Sequence, residues 1–265
     1  MPSLVHELIN LQKKHPTLLD SAGGKINDDP NAIEIHQHQH RRWVYTGGLS
    51  VQSTLDLHNP TELVHVYQQV MLIVPLLHLI PSKILNLGFG GGAFERFFAS
   101  HKAYLDITSV EANANQILLT QKHMQVPTEW PVVNSTAEQY LAANLVEQQK
   151  FDLILVDLFM GQNHAPCLQS HEFYHHASHA LGQRGLISIN LAPDSNVQMI
   201  NVLHAAKRYF PYGMLSKVPN CGNVVMIASK TPLPSVQRLS NNIRSSYSKW
   251  QLNFAQYLAK FTYFG

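Results

Sequence analysis

A short apolar run that leads straight into a glycine loop, and from there into a helix, leaves a chain few folds to choose from. Here the run is Lys83-Ile84-Leu85-Asn86-Leu87, the loop is Gly88-Phe89-Gly90-Gly91-Gly92, and Ala93 to Ser100 has helical spacing. Glycines let the backbone turn sharply and let a ligand approach it closely, while the helix start behind them offers unpaired N–H groups. The alternation continues with a strand Leu105–Val110 ending at Glu111, a helix Asn113–His123, a strand Pro131–Val133 and a helix Glu138–Gln148. A strand Phe151–Val156, a helix Ser170–Leu181, a strand Gly185–Leu191 and a helix Ser195–Tyr209 complete it. Strands that read as apolar runs and are separated by helices predict a mostly parallel sheet covered on both faces.

The rhythm changes at both ends. Met214–Val218 and Val224–Ser229 are joined by the tight connection Pro219-Asn220-Cys221-Gly222-Asn223, which predicts an antiparallel ending to the sheet. At the other end, Leu4–Lys13 reads as a short helix, and Asp20–Gly24 and Asn27–Pro30 read as turns. Residues 33–57 alternate with period two, with Gly47-Gly48 between two runs, which predicts a small β-hairpin or meander over about residues 31–60. Thr61–Leu79 has helical spacing, opened by Pro60-Thr61 and ended by Pro81, and Leu239–Phe261 reads as one or two C-terminal helices. The expected organisation is an N-terminal helix and small β region (1–60), an α/β, Rossmann-like nucleoside-binding domain (61–232) and a C-terminal helical extension (233–265).

Composition removes several classes of function. Only 14% of residues are charged, the formal net charge is +2, and the 19 basic residues form no long run, so no nucleic-acid partner is expected. Two cysteines, Cys167 and Cys221, make no disulfide framework. The first 15 residues lack the apolar core of a signal peptide, and Val70–Ile80 is interrupted by Pro75 and His78 and is too short to span a bilayer. A cytoplasmic protein with no membrane partner is expected.

Two acids fall where an open α/β sheet binds ligands, outside the carboxyl ends of its strands. Glu111 ends the second strand of the alternating region, at the offset from Gly88 where a side chain accepts from ribose hydroxyls. Asp157 ends the fourth strand on the same edge.

From about Arg42 to Ser229 these residues resemble the spermidine synthase (aminopropyltransferase) family and its spermidine-synthase-like bacterial branch, which has a methyltransferase-type fold. Gly47-Gly48-Leu49-Ser50-Val51-Gln52 resembles the family's strand that ends in a nucleoside-contacting glutamine, which puts Gln52 there. Tyr67-Gln68-Gln69 resembles its Tyr-Gln-Glu, whose tyrosine and glutamine face the active site. Leu87–Arg96 resembles the glycine motif and its following arginine, Glu111 the ribose-binding acid, and Phe151–Asp157 with Glu172-Phe173-Tyr174 the fourth strand and the helix after it. The resemblance implies a nucleoside site of Gln52, Gln68, Gly88, Gly90, Gly91, Glu111, Thr136, Ala137 and Asp157, with Asp157 and Tyr67 nearest the chemistry. It also implies a homodimer and S-adenosylmethionine or its decarboxylated form as group-donating substrate, with methylthioadenosine a related ligand.

Five positions depart from the family. Gly91 stands where the catalytic type has an aspartate for the donor's amino group, and Met160 where a second aspartate serves the amine. Ser135-Thr136-Ala137 replaces Gly-Asp-Ala, and Gln69 replaces the acid after Tyr-Gln. A polyamine carries several ammonium groups, each of which costs several kcal/mol to bury without a carboxylate, so these replacements argue against ordinary polyamine synthesis. The expected function is a spermidine-synthase-like transferase acting on a small-molecule acceptor, an amine being one candidate. The alternatives are an S-adenosylmethionine-dependent methyltransferase and a non-catalytic nucleoside-binding homologue.

His36, His38 and His40 would share one face of a strand, but no carboxylate or cysteine stands beside them at ligand spacing, so no metal is expected. His171, His175 and His179 fall on one helix face, read as a solvated one.

Overall fold

The computed structural model describes residues 16–23, 29, 32–46, 50–101, 105–161 and 163–265 of the 265-residue chain. The predicted helix Leu4–Lys13 and the Gly47-Gly48 turn lie outside the described residues. The N-terminal region is a four-stranded antiparallel meander, β1 (Thr17–Ala22), β2 (Ile33–His38), β3 (Arg41–Thr46) and β4 (Ser50–Asp56), paired in that order. The turn read at Asp20–Gly24 is therefore replaced in part by a strand. Turn-forming residues hold an extended conformation there because β1 pairs with β2 across an irregularity at Leu18/Asp20, and because Lys122 and His123 bind the Asp20 carboxylate at 2.8 and 2.7 Å.

Helix α1 (Val66–His78) starts five residues later than its periodicity suggests. The side chains of Arg96 and Gln69 bond the Pro60 and Leu63 carbonyls at 2.9 and 2.8 Å, which holds that stretch off the helical path. The chain then alternates through β5 (Lys83–Leu87), α2 (Ala93–Ser100), β6 (Asp106–Glu111), α3 (Ala114–His123), β7 (Val132–Asn134), α4 (Ala137–Glu147) and β8 (Phe151–Val156). A small hairpin, β9 (Phe159–Met160) with β10 (Asn163–His164), and a 3-10 turn at Pro166–Gln169 lead into α5 (His171–Ala180), β11 (Leu181–Leu191) and α6 (Asn196–Lys207). Last come β12 (Tyr212–Lys217), β13 (Val224–Ser229), α7 (Val236–Ser240), α8 (Ile243–Trp250), α9 (Phe254–Leu258) and β14 (Thr262–Phe264).

The large sheet has the order β14-β12-β13-β11-β8-β5-β6-β7. From β11 to β7 all neighbours are parallel, and β13 runs antiparallel to both β11 and β12. This is the predicted mostly parallel, Rossmann-like sheet with an antiparallel ending. It has one addition: after the C-terminal helices the chain returns to pair β14 with β12.

Two apolar layers cover the sheet, as the apolar strands require. Val70–Val74 of α1 packs on one face with Phe94, Phe97 and Phe98 of α2 and with Trp250, Phe254 and Leu258 of the C-terminal helices. Leu141, Phe173, Tyr174, Ala177 and Val202 cover the other face from α4, α5 and α6. The meander seals Ile33, Ile35, Val44 and Leu55 against Leu119, Met124 and Val126, at and beyond the end of α3. Among the described residues no helix is long and apolar enough to cross a membrane.

Candidate functional site

The chain passes from β5 outward through β6 to β7 and then returns to the other side of β5 as β8. That reversal is a topological switch point at the carboxyl ends of β5 and β8, the place where open α/β sheets bind ligands in a crevice. Gly88 leaves β5 at φ +98°, and a Cβ placed on it would lie 2.3 Å from the Asp157 carbonyl oxygen. The two strand ends thus meet backbone to backbone, and Asp157 N–H donates to the Leu87 carbonyl at 2.9 Å.

Glu111 closes the loop from β6. Its Oε2 accepts from Gly90 N–H at 3.2 Å and its Oε1 from Asn113 N–H at 3.0 Å. Burial pushes its carboxyl above the ordinary glutamate range, against the pull of these bonds. Ser135 N–H and Asn134 Nδ2 donate to the Glu111 carbonyl at 3.1 and 3.0 Å, tying the β7 loop to the same corner. Thr136 caps α4 through a capping box with Gln139, and Ala137 is the first helical residue, so both follow directly on the Ser135 that is tied to Glu111.

On the other side of Gly88, Tyr67 Oη donates to Asp157 Oδ2 and Asn190 Nδ2 donates to Oδ1, each at 2.9 Å. Asn223 Nδ2 donates in turn to Asn190 Oδ1 at 2.9 Å. Among the described residues no cation pairs with Asp157. Enclosure by its neighbours pushes its carboxyl above the ordinary aspartate range, opposed by the Asn190 and Tyr67 bonds, and burial with the nearby carboxylate pushes the Tyr67 phenol well up. Asp157 still keeps a partly exposed face. An oriented carboxylate of this kind suits a cationic ligand or the removal of a proton. Gln68, 3% exposed, reaches the Tyr67 hydroxyl at 3.5 Å, and its Oε1 has no partner among the described residues.

Arg96 holds the loop from below. Its guanidinium donates to the carbonyls of Pro60, Gly91 and Met124, and burial lowers its pKa to about 10. Beside it the buried Glu95 Oε1 accepts from Asn86 and Ser109 across β5 and β6. Gly91 meets the meander here: a Cβ on it would lie 2.4 Å from both Cβ and Oγ of Ser53 in β4. Gln52 bonds Thr46 Oγ1 at 3.3 Å within the meander, and the neighbour against the glycine loop is Ser53.

No family model matches the chain. The chain is similar in sequence to polyamine aminopropyltransferases. It is 28% identical to the one from Chromobacterium violaceum over 161 residues, 60% of this chain and 60% of that protein. Against the one from Neisseria meningitidis serogroup A it is 26% identical over 162 residues, again 60% of each. The chain therefore spans about 60% of the length of these curated relatives. Among solved structures, a probable spermidine synthase from Corynebacterium glutamicum superposes with TM-score 0.71 at 20% identity, covering 87% of this chain and 86% of that one. Spermidine synthase from Thermotoga maritima gives 0.60 at 15%, covering 89% and 88%. Human methyltransferase-like protein 13, solved with SAH, gives 0.62 at 17%, covering 70% and 89%. These likenesses carry the fold: an aminopropyltransferase-like chain on a methyltransferase-like sheet.

Against that background the structure brings Tyr67, Gln68 and Asp157 together, Gly90 with Glu111, and Gly88 with Asp157. It adds three side chains that sequence reading did not single out for the site, Ser53, Asn190 and Asn223, and it gives Arg96, the arginine after the glycine motif, the role of a clamp. Asn190 had a signal, an amide within the mostly apolar run Leu186–Leu191 that ends β11. Ser53 had none, because its importance lies in facing Gly91 from a different sheet.

Proposed function

We propose that the protein is a spermidine-synthase-like transferase that binds an S-adenosyl nucleoside over Gly88–Gly92 and passes a group from its sulfonium to a small amine. The observation that carries this reading is Asp157, a largely enclosed carboxylate held by Tyr67 and Asn190 with no cation beside it among the described residues, one backbone contact from Gly88. Glu111 is the acceptor for the ribose hydroxyls, and the Thr136–Ala137 step borders the base. Gln52, Gln68 and Gly91 complete the nucleoside site.

In the reaction the amine's lone pair attacks the carbon bonded to the sulfonium, in line with the breaking bond. The C–S electron pair goes to sulfur, leaving a neutral thioether, and a C–N bond forms. The proton shed by nitrogen passes to Asp157, whose ionised form Tyr67 and Asn190 support. The relatives named as polyamine aminopropyltransferases support the transferase class. A cytoplasmic homodimer belongs to the same reading.

Calorimetric titration with S-adenosylmethionine, its decarboxylated form and methylthioadenosine tests it. Binding of at least one donor and turnover with an amine are expected. No heat from any of the three would sink the reading, and donor binding without turnover on any amine would favour a non-catalytic homologue.

Methyl transfer is the second reading, and Ser53 favours it. With Ser53 against Gly91, no carboxylate fits at that position to receive a donor amine, while the buried Ser53 hydroxyl has no partner among the described residues and can donate to the carboxylate of the ordinary methyl donor. Gly91→Asp alone is expected to destabilise the protein through overlap with Ser53. Paired with Ser53→Gly, it is expected to move donor preference on the order of tenfold or more toward the decarboxylated donor. The ratio of the two dissociation constants reads this directly, and an unchanged ratio in the double variant argues against a role for position 91 in donor choice.

A further inference from the structure

The histidine-rich turn of the meander assembles a donor set outside the nucleoside crevice. His36, His38 and His40 do not converge as strand alternation suggests. His36 is buried, stacks on Trp43 at 6.0 Å between ring centroids and bonds the Glu34 carboxylate at 2.6 Å. His40 leaves the strand and lies in the turn between β2 and β3. The β3–β4 register sets Arg41 opposite Asp56, and Leu57 N–H donates to the His40 carbonyl at 2.8 Å, so this turn faces the end of β4. The His40 and His58 rings are parallel within 6° at 4.7 Å between centroids, and His40 Nε2 lies 4.0 Å from Asp56 Oδ2. One ligand atom from each of His40, Asp56 and His58 lies within 4.8 Å of the other two.

We propose that His40, Asp56 and His58 form a binding site for a divalent transition cation of the zinc class, with water completing the coordination. The donor set carries the choice of metal, since two imidazoles and one carboxylate suit zinc-like cations, whereas calcium and magnesium take oxygen ligands. Zinc bonds of about 2.0–2.2 Å to nitrogen and oxygen set tetrahedral donors roughly 3.3 Å apart, which small side-chain rotations reach from the separations here. The carboxylate is the fixed member: Asp56 is 7% exposed and its Oδ1 accepts from His58 N–H at 2.9 Å. The imidazoles are the adjustable members, His58 exposed and His40 partly so, and among the described residues neither ring has a hydrogen-bond partner that would resist rotation.

Arg41 works against the cation. Its Nη1 lies 3.1 Å from the same Asp56 Oδ2, occupying one side of that oxygen and adding a positive charge beside the ion. The site is therefore weaker than its donors alone would make it, and Arg41→Gln tightens it on the order of tenfold.

The test uses the untagged full chain, stripped with chelator, then titrated with Co2+ for its visible spectrum and with Zn2+ against a colorimetric chelator. One equivalent is expected, with affinity lowered about 10–100-fold in His58→Ala and in His40→Ala. Both residues are at turns, and thermal unfolding of each variant without metal separates ligand loss from misfolding. His175 and His179, with rings 4.5 Å apart on one face of α5, are the competing place, so the double variant His175→Ala/His179→Ala should leave binding unchanged. No binding by the parent, parental affinity in folded His58→Ala, or loss confined to the α5 double variant would overturn the proposal. None of these results depends on the transferase reading.

Discussion

Asp157→Asn is expected to lower turnover about 10²–10⁴-fold, the range over which a positioned general base acts, while donor binding persists. The asparagine can still accept from Asn190 at Oδ1, and the Tyr67 hydroxyl can turn to accept from the new amide, so the crevice keeps its shape. The pH dependence follows from the direction of the shift. The folded protein holds the Asp157 proton more tightly than the unfolded chain does, because enclosure disfavours the carboxylate. A base must be ionised, so kcat/KM of the parent rises with pH through this raised pKa, and that limb is absent from the variant. The same shift acts on stability with the opposite sense. Stability is greatest where Asp157 is protonated and declines as pH climbs from the unfolded carboxylate range through the raised folded value. A neutral side chain escapes that decline, so Asp157→Asn should melt above the parent at pH 7, with the gap closing as pH falls. Thermal unfolding at two pH values together with steady-state rates checks both halves. Parental turnover in the variant would remove Asp157 from the chemistry.

The second large effect lies at Gly88. Gly88→Ala puts a methyl 2.3 Å from the Asp157 carbonyl oxygen and 2.9 Å from its carbon, at φ +98°. Both atoms are backbone in a strand end pinned by the Asp157–Leu87 hydrogen bond and by the β5–β8 ladder, so neither can step aside. A loss of about 3 kcal/mol or more in urea unfolding is expected. Gly90 is the control. It sits at φ +54° with no heavy atom within 4 Å of an added Cβ, so Gly90→Ala costs only about 1–2 kcal/mol. That open space is where the nucleoside lies in our reading. Gly90→Ala should therefore fold and bind donor poorly, while Gly88→Ala fails at folding. Parental donor affinity in Gly90→Ala would place the nucleoside elsewhere.

Much of this is legible in the amino-acid sequence. The strand–loop–helix at Lys83–Ser100, the parallel alternation that follows, and acids at the ends of β6 and β8 are local patterns. Side-chain period, the steric freedom of glycine and the polarity of a strand end all act within a few residues, so the sequence alone determined the mostly parallel sheet, its antiparallel ending and the edge where chemistry belongs, while the strand order that puts β8 beside β5 is read only from the structure. Contacts between distant segments were not legible. The turn-like residues of β1 hold a strand because Lys122 and His123 reach Asp20 from α3. β14 is three residues long and becomes a strand only because β12 offers an edge. Ser53 matters because β4 lies against Gly91, and Asn223 because the β12–β13 connection closes over Asn190. His40 meets Asp56 and His58 because the β3–β4 register folds the turn onto that strand end, where strand alternation had pointed to His36 and His38. In each case the energy comes from packing and hydrogen bonding between segments far apart in the chain, so only the tertiary structure decided which polar groups surround the glycine loop and which imidazoles meet a carboxylate.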